Sequence, residues 1–328
     1  MKNMKSLIAV IFAFSFVSTT AATSIPTPKK PMATKHTELD LEVIADLEAW
    51  RLQVGQSLKR DNGWLTLAGR FVMKPGDNTF GTGKDNDIVF PPELTGFGPA
   101  RLGVINVDPV NNQVTLTVAP TLRDVAATAT INNAGTWQAE AKPFTGSRVL
   151  GTATDKRDWI TFENIAMHVI ARDGKYILRL ANNKSLVREN FQGRIWYRPD
   201  AKFRVDAKYI PYPAGKTIPI VNVLDEISEE PSPGYVEFKL NGVKMKLDAV
   251  GDGDGLFFVM RDKTSGDTTY RPSRFLSVEK KPQPNKIFPL DFNRAYNPPC
   301  AFSEFTTCPL PPKQNILQVR IEAGEKYR

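Results

Sequence analysis

The sequence predicts a mainly β protein, an N-terminal helix followed by two β-sandwich or barrel-like subdomains. Three observations carry this. Beyond residue 63, apolar residues recur in short β-prone runs instead of at helical spacing. Clusters of Pro, Gly, Asn and Asp interrupt those runs at turn-sized intervals. Only residues 37–60 keep a sustained helical period. The composition agrees: 41% hydrophobic and 24% charged residues fit a soluble globular chain, and 25 prolines with 19 phenylalanines suit strands joined by many turns. A length of 328 residues is enough for two ordinary subdomains.

In chain order, Lys2 and Lys5 precede an apolar run at 7–17 and small residues up to Ala22, the arrangement of a secretory signal peptide over residues 1–22. The apolar run is shorter than the ~20 residues that span a bilayer, and no cysteine follows it to accept a lipid. The expectation is an exported chain, periplasmic or extracellular, not membrane-spanning after cleavage. Residues 23–36, rich in Pro, Lys and Thr, read as a flexible tether. Thr37 with Asp40 resembles a helix-start box. Ile44, Leu47, Val54 and Leu58 then give residues 37–60 one apolar face, with Trp50 expected to pack on the β body.

Residues 61–158 form the first expected β subdomain. Runs at 64–67, 70–73, 78–80, 87–90, 102–107 and 113–118 are broken by turn signals at 75–77, 81–83, 91–92 and 111–112. The glycines and polar residues at 76–88 and the later 131–135 resemble the strand rhythm of forkhead-associated sandwiches. That family follows its glycine with an Arg and carries a Ser and a His downstream. Here Thr82 follows Gly81 and no His lies between 37 and 167, so phosphothreonine recognition does not carry over.

Residues 159–328 form the second β subdomain. Runs at 159–162, 167–171, 176–180, 193–197, 203–209, 216–221, 234–240, 243–249 and 256–260 read as strands, with hairpin turns at Asp173-Gly174 and Asn241-Gly242. His168 lies inside a strand with no Cys or His at ligand spacing, which suits a packed or surface histidine. The Gly-Asp repeat at 251–255 lacks the further oxygen ligands and closing Glu of a calcium loop, and reads as a hairpin tip.

The densest polar chemistry is C-terminal: residues 262–275, then 289–302, 307–312, Asn315 and 323–326. In these segments the sequence closely resembles a bacterial family known as domain of unknown function 1684. The stretch 291–312 is its strongest mark, 190–193 and 76–88 are lesser ones, and the resemblance extends over 45–328. It implies homology and an exported, cell-envelope setting, and supplies no catalytic role to carry over.

Read on their own chemistry, Cys300 and Cys308 are the chain's two cysteines. In an exported protein they are expected to form a disulfide across a short proline-flanked loop, adding roughly 2–3 kcal/mol by loop closure. Metal binding lacks further ligands, and a redox pair lacks C-x-x-C spacing. Asp291, Asn293, Arg294, Tyr296 and Asn297 crowd acceptors, amides, a guanidinium and a phenol into seven residues. With Tyr270 and Arg274 they are the candidate ligand-binding set, arginines clamping an anion and tyrosines stacking on a sugar. The same residues also suit a structural brace of the proline-rich loop.

Asp291 and Glu325 are the candidate acid and base should they converge as in glycoside hydrolysis. No nucleophile elbow, phosphate loop, dinucleotide fingerprint or zinc motif is present, and no cofactor is expected. The formal charge of +8 is spread along the chain, which argues against nucleic acid as a partner. The leading expectation is a soluble, envelope-associated module binding a small molecule or envelope saccharide. The alternatives are a metal-independent hydrolase of an envelope saccharide or ester, and a protein-interaction scaffold using an exposed strand edge.

Overall fold

A computed structural model describes residues 38–94, 100–119, 126–129, 142–143, 146–153, 157–172 and 174–327. The signal segment, the tether and the forkhead-like mark at 131–135 lie outside the described residues. No helix among the described residues is long and apolar enough to cross a membrane.

Helix α1, Leu41–Lys59, forms where the helical period was read. Its inner face carries Ile44, Leu47, Arg51, Val54 and Leu58, so a buried arginine interrupts the apolar stripe. A guanidinium on that face needs acceptors. Arg51 donates to the Tyr197 carbonyl at 3.1 Å and to Glu48 at 3.0 Å, and its cation lies 4.8 Å above the Trp196 ring.

Among the described residues eleven strands follow: β1 Leu67–Met73, β2 Gly76–Gly81, β3 Ile88–Val89, β4 Gly103–Asp108, β5 Gln113–Val118, β6 Ala126–Ala129, β7 Lys142–Pro143, β8 Ser147–Val149, β9 Asp158–Phe162, β10 Ile165–Arg172 and β11 Lys175–Asn182. They make a six-stranded sheet in the order β1-β11-β10-β9-β6-β7 and a five-stranded sheet β3-β2-β4-β5-β8. Alternation decides which faces meet. β5 buries Val114, Leu116 and Val118 and turns Gln113 and Thr117 outward, and β4 buries Ile105 and Val107. These join Ile160, Met167, Leu178 and Leu180 from the other sheet in one apolar core. β9 to β11 therefore belong to the first core, and the division between cores lies beyond Asn182, later than the change near residue 158 suggests. Ladder pairing is the reason: β1 pairs along its length with β11, bringing the strands after 158 onto the earlier ones.

After a short helix α2, Leu186–Glu189, eight strands follow, most of them contributing to a second core: β12 Arg204–Pro211, β13 Thr217–Val221, β14 Ile227–Pro231, β15 Gly234–Leu240, β16 Val243–Asp248, β17 Leu256–Met260, β18 Arg274–Val278 and β19 Ile287–Asp291. The sheet β16-β15-β12-β19 is accompanied by the pairs β13-β14 and β17-β18. The β15–β16 turn has both Asn241 and Gly242 at positive φ, 52° and 80°, as a two-residue hairpin of right-handed twist requires. Phe238, Leu247, Phe258 and Leu290 fill this core together with Phe292, Ala295, Leu317, Ile321 and Ala323 from the irregular C-terminal chain. Among the described residues the fold is mainly β, with one long helix near the N-terminus and several sheets, and no barrel closes.

Candidate functional site

The C-terminal chain is held between two other segments. Tyr197 donates its amide to the Gly324 carbonyl at 2.9 Å, Glu325 to Ala295 at 2.8 Å and Lys326 to Ile195 at 2.8 Å. Gly324 is required there. Its φ is +78°, and a Cβ would sit 2.3 Å from the Ala295 carbonyl oxygen. This three-layered strap fixes the segments that line a groove beside α1.

The groove has a volume of about 240 Å³. Trp50, Val54, Ser57 and Leu58 of α1 form one wall, with Trp64 of the turn that follows. Ser277 and Glu279 at the end of β18, with Arg194, Arg294, Tyr296, Asn297 and Pro299, complete the lining. Trp50 meets Tyr296 edge-on at 6.0 Å and Trp196 at 5.7 Å, so it both packs on the β body and faces the groove.

The cations here are already matched. Arg294 pairs with Asp46 and lies 5.3 Å over the Trp50 ring. Arg194, only 4% exposed, pairs with Glu325 and stands 4.8 Å over Phe302. Glu325 also accepts the Asn297 amide at 2.7 Å. Burial raises the Glu325 carboxyl above the ordinary glutamate range, against the pull of Arg194 and that amide. Two polar atoms of the lining stay without a protein partner although fully buried: the Nε–H of Arg194, a donor, and Oδ1 of Asn297, an acceptor.

Of the residues singled out from sequence, Arg294, Tyr296 and Asn297 are brought together on the groove. Tyr270, Arg274, Asp291, Asn293 and Glu325 stand outside its lining. Arg274 is fully buried, paired with Asp262 and donating to the carbonyls of Ile321 at 3.0 Å and Ala323 at 2.5 Å. Asp291 accepts the amide and side chain of Asn293 at 2.9 and 2.8 Å, and Asn293 clasps the Asp200 backbone by two 3.0 Å bonds. Tyr270 donates to the Cys300 carbonyl at 3.0 Å; burial foremost, then Cys300, pushes its phenol up to about 12. Asp291 and Glu325, the candidate acid and base, are each engaged with different partners, Asn293 and Arg194.

The disulfide expected between Cys300 and Cys308 is not formed: both are free thiols. Instead each cysteine donates its amide to the other's sulfur, at 3.1 and 3.2 Å. Among the described residues, no three His, Cys, Asp or Glu side chains converge to hold a metal.

Trp64 and Arg194 are lining residues that sequence reasoning missed. A signal for the second was at hand, since Arg194 directly follows the family-like mark at 190–193.

The profile of the family described as "Protein of unknown function (DUF1684)" matches residues 189–326, the part of the chain that supplies the strap and most of the groove. No curated protein matches. An uncharacterized protein from gene locus rrnAC0354 of Haloarcula marismortui, solved by solution NMR, is 30% identical, with the match covering 42% of this chain and 78% of that one at a TM-score of 0.37. Over residues 189–326 the chain belongs to the DUF1684 family.

Proposed function

We propose that the protein is a binding module for a small neutral ligand rich in hydroxyl groups, of saccharide type, held in the groove beside α1. One observation carries this reading: Arg194 and Asn297, each holding a polar atom without a protein partner (the donor Nε and the acceptor Oδ1), both line the same aromatic-walled groove. A sugar hydroxyl both accepts and donates, which matches a lining whose residues offer both a donor and an acceptor. Trp50, Trp64 and Tyr296 supply faces and edges for a sugar ring. Pairing of Arg194 with Glu325 and of Arg294 with Asp46 leaves no spare cation, which favours a neutral ligand over an anion. Export through the segment 1–22, into the periplasm or beyond the cell, accords with a ligand drawn from envelope polysaccharide.

The test is a thermal-shift and tryptophan-fluorescence screen of neutral mono- and disaccharides beside their phosphorylated and carboxylated counterparts. A neutral sugar at about 100 times its dissociation constant should add ~2.7 kcal/mol to stability. Trp64→Ala removes a side chain that is 40% exposed, so the fold should persist while affinity falls by about tenfold. Binding only by the anionic members, or no binding across the panel, would sink the proposal.

A further inference from the structure

Cys300 and Cys308 sit eight residues apart in the proline-flanked loop, outside the lining of the groove. Their reciprocal amide-to-sulfur bonds, 3.1 and 3.2 Å, close the loop on itself and set the two sulfurs side by side without joining them. The two thiols are unequal. Cys308 is buried at 5% exposure, whereas Cys300 is half-buried and accepts the Thr306 hydroxyl at 2.8 Å in addition to the Cys308 amide. Such donors favour a thiolate.

A cationic sheet face lies against the loop. Arg179 of β11 donates to the Phe305 carbonyl within it, and Arg70 of β1 stands opposite Arg179 in the ladder. Burial, then Arg70 and Arg172, brings Arg179 down to about 10, while Cys300 pulls it the other way. The neighbours of Cys300, the Cys308 thiol foremost and Thr306 next, hold it at about 6 against the opposing effect of burial. The bond to Cys300 and burial push Cys308 up.

We propose that this loop is a thiol–disulfide exchange site in which Cys300 attacks and Cys308 resolves, the co-reactant being a low-molecular-weight disulfide bearing carboxylates. The thiolate of Cys300 bonds to one sulfur of the co-reactant and expels the other as a thiolate, which takes up a proton. Cys308 then loses its proton, bonds to the Cys300 sulfur and expels the second half of the co-reactant. The protein ends as a disulfide, oxidised by two electrons, and the co-reactant as two thiols. Arg179 and Arg70 attract its carboxylates to the half-exposed sulfur. This proposal stands apart from the sugar reading of the groove.

The experiment uses the purified reduced protein and glutathione disulfide as probe. Iodoacetamide should label Cys300 at least about tenfold faster than Cys308 at neutral pH. Cys308→Ser should accumulate a mixed disulfide carrying one glutathione on Cys300, whereas Cys300→Ser should take up glutathione far more slowly. The oxidised protein should return to the dithiol in millimolar reduced glutathione. Thr306→Val should slow Cys300 labelling several-fold. Equal labelling of the two thiols in the unaltered protein would overturn the proposal, and so would an oxidised form that resists millimolar glutathione. Labelling of the unaltered protein decides the matter even if a cysteine variant fails to fold.

Discussion

The two cores of this protein solve the same problem by different means. In the first, the backbone of β4, β5, β10 and β11 is satisfied by ladders, and the side chains meeting between the sheets are Ile105, Leu116, Met167, Leu178 and their like. In the second, residues 292–327 have almost no strand neighbours, yet Ala295, Leu317, Ile321 and Ala323 are buried there. Buried backbone must still be paired. Polar side chains do it: Arg274 takes the carbonyls of Ile321 and Ala323, Asn293 clasps Asp200, and Asn315 bridges β16 to β17. The contrast explains why the polar C-terminal chain looks like a ligand site in sequence. Arg, Asp and Asn serve an irregular backbone as a neighbouring strand serves a ladder.

The largest expected effect follows from the pair Arg274–Asp262, both side chains at 0% exposure. Arg274→Met leaves a buried carboxylate uncompensated and should cost about 3–5 kcal/mol in denaturant unfolding. Adding Asp262→Leu should recover part of that loss, because the orphaned charge is gone. A cost for Arg274→Met below about 1 kcal/mol would mean that the second core stands on apolar contacts as the first does, and the contrast would fail.

Asn315 comes next. Its side chain accepts the Asp248 amide at 2.7 Å and donates to the carbonyls of Asp248 and Val259, each at 2.9 Å. Asn315→Ala strips three buried bonds and should cost roughly 2–3 kcal/mol. The matching truncation in the first core, Ile105→Val, removes one methylene and should cost about 1 kcal/mol. Equal losses would blur the distinction between a clasped core and a packed one.

Sequence legibility divides along the same line. Gln113–Val118, Gly234–Leu240 and Leu256–Met260 are strands with the bounds that their β-prone runs predict, because alternation and flanking turns are local. Residues 64–67 read as a strand but begin with a 3-10 turn, since the Thr66 amide and hydroxyl both bond the Gly63 carbonyl, at 3.1 and 2.8 Å. Residues 193–197 read as a strand and keep only the bridge Trp196–Glu325, because the partner is an irregular chain far along the sequence. The groove was half legible for the same reason. Arg294, Tyr296 and Asn297 announce themselves by local density. Trp50, Trp64 and Arg194 reach it from segments more than ninety residues away. Nothing local separates Asn297, with a free acceptor, from Asn293, whose amide is spent on Asp200.

The smallest effect tests a buried ionisable group on the other face of the first sheet, away from the apolar core. His168 is 9% exposed, with its ring 4.0 Å from that of Trp159 and Arg179 opposite it in the ladder. Burial foremost, then Arg157 and Arg179, holds its pKa well below 6.5. The folded protein therefore leaves His168 neutral at a pH where the unfolded chain binds a proton. The stability this represents is present above about pH 6.5 and is lost progressively as pH falls below that value toward the depressed folded pKa. The unfolding free energy should therefore fall between about pH 7 and about pH 5.5, before most carboxylates titrate. His36, the second histidine, lies outside the described residues. His168→Gln should flatten the unfolding free energy across this interval, and an unchanged slope would show that His168 takes up its proton in the folded state. The outcome sharpens the comparison, because the second core matches its buried charges in pairs such as Arg274–Asp262, whereas His168 keeps its place by remaining uncharged.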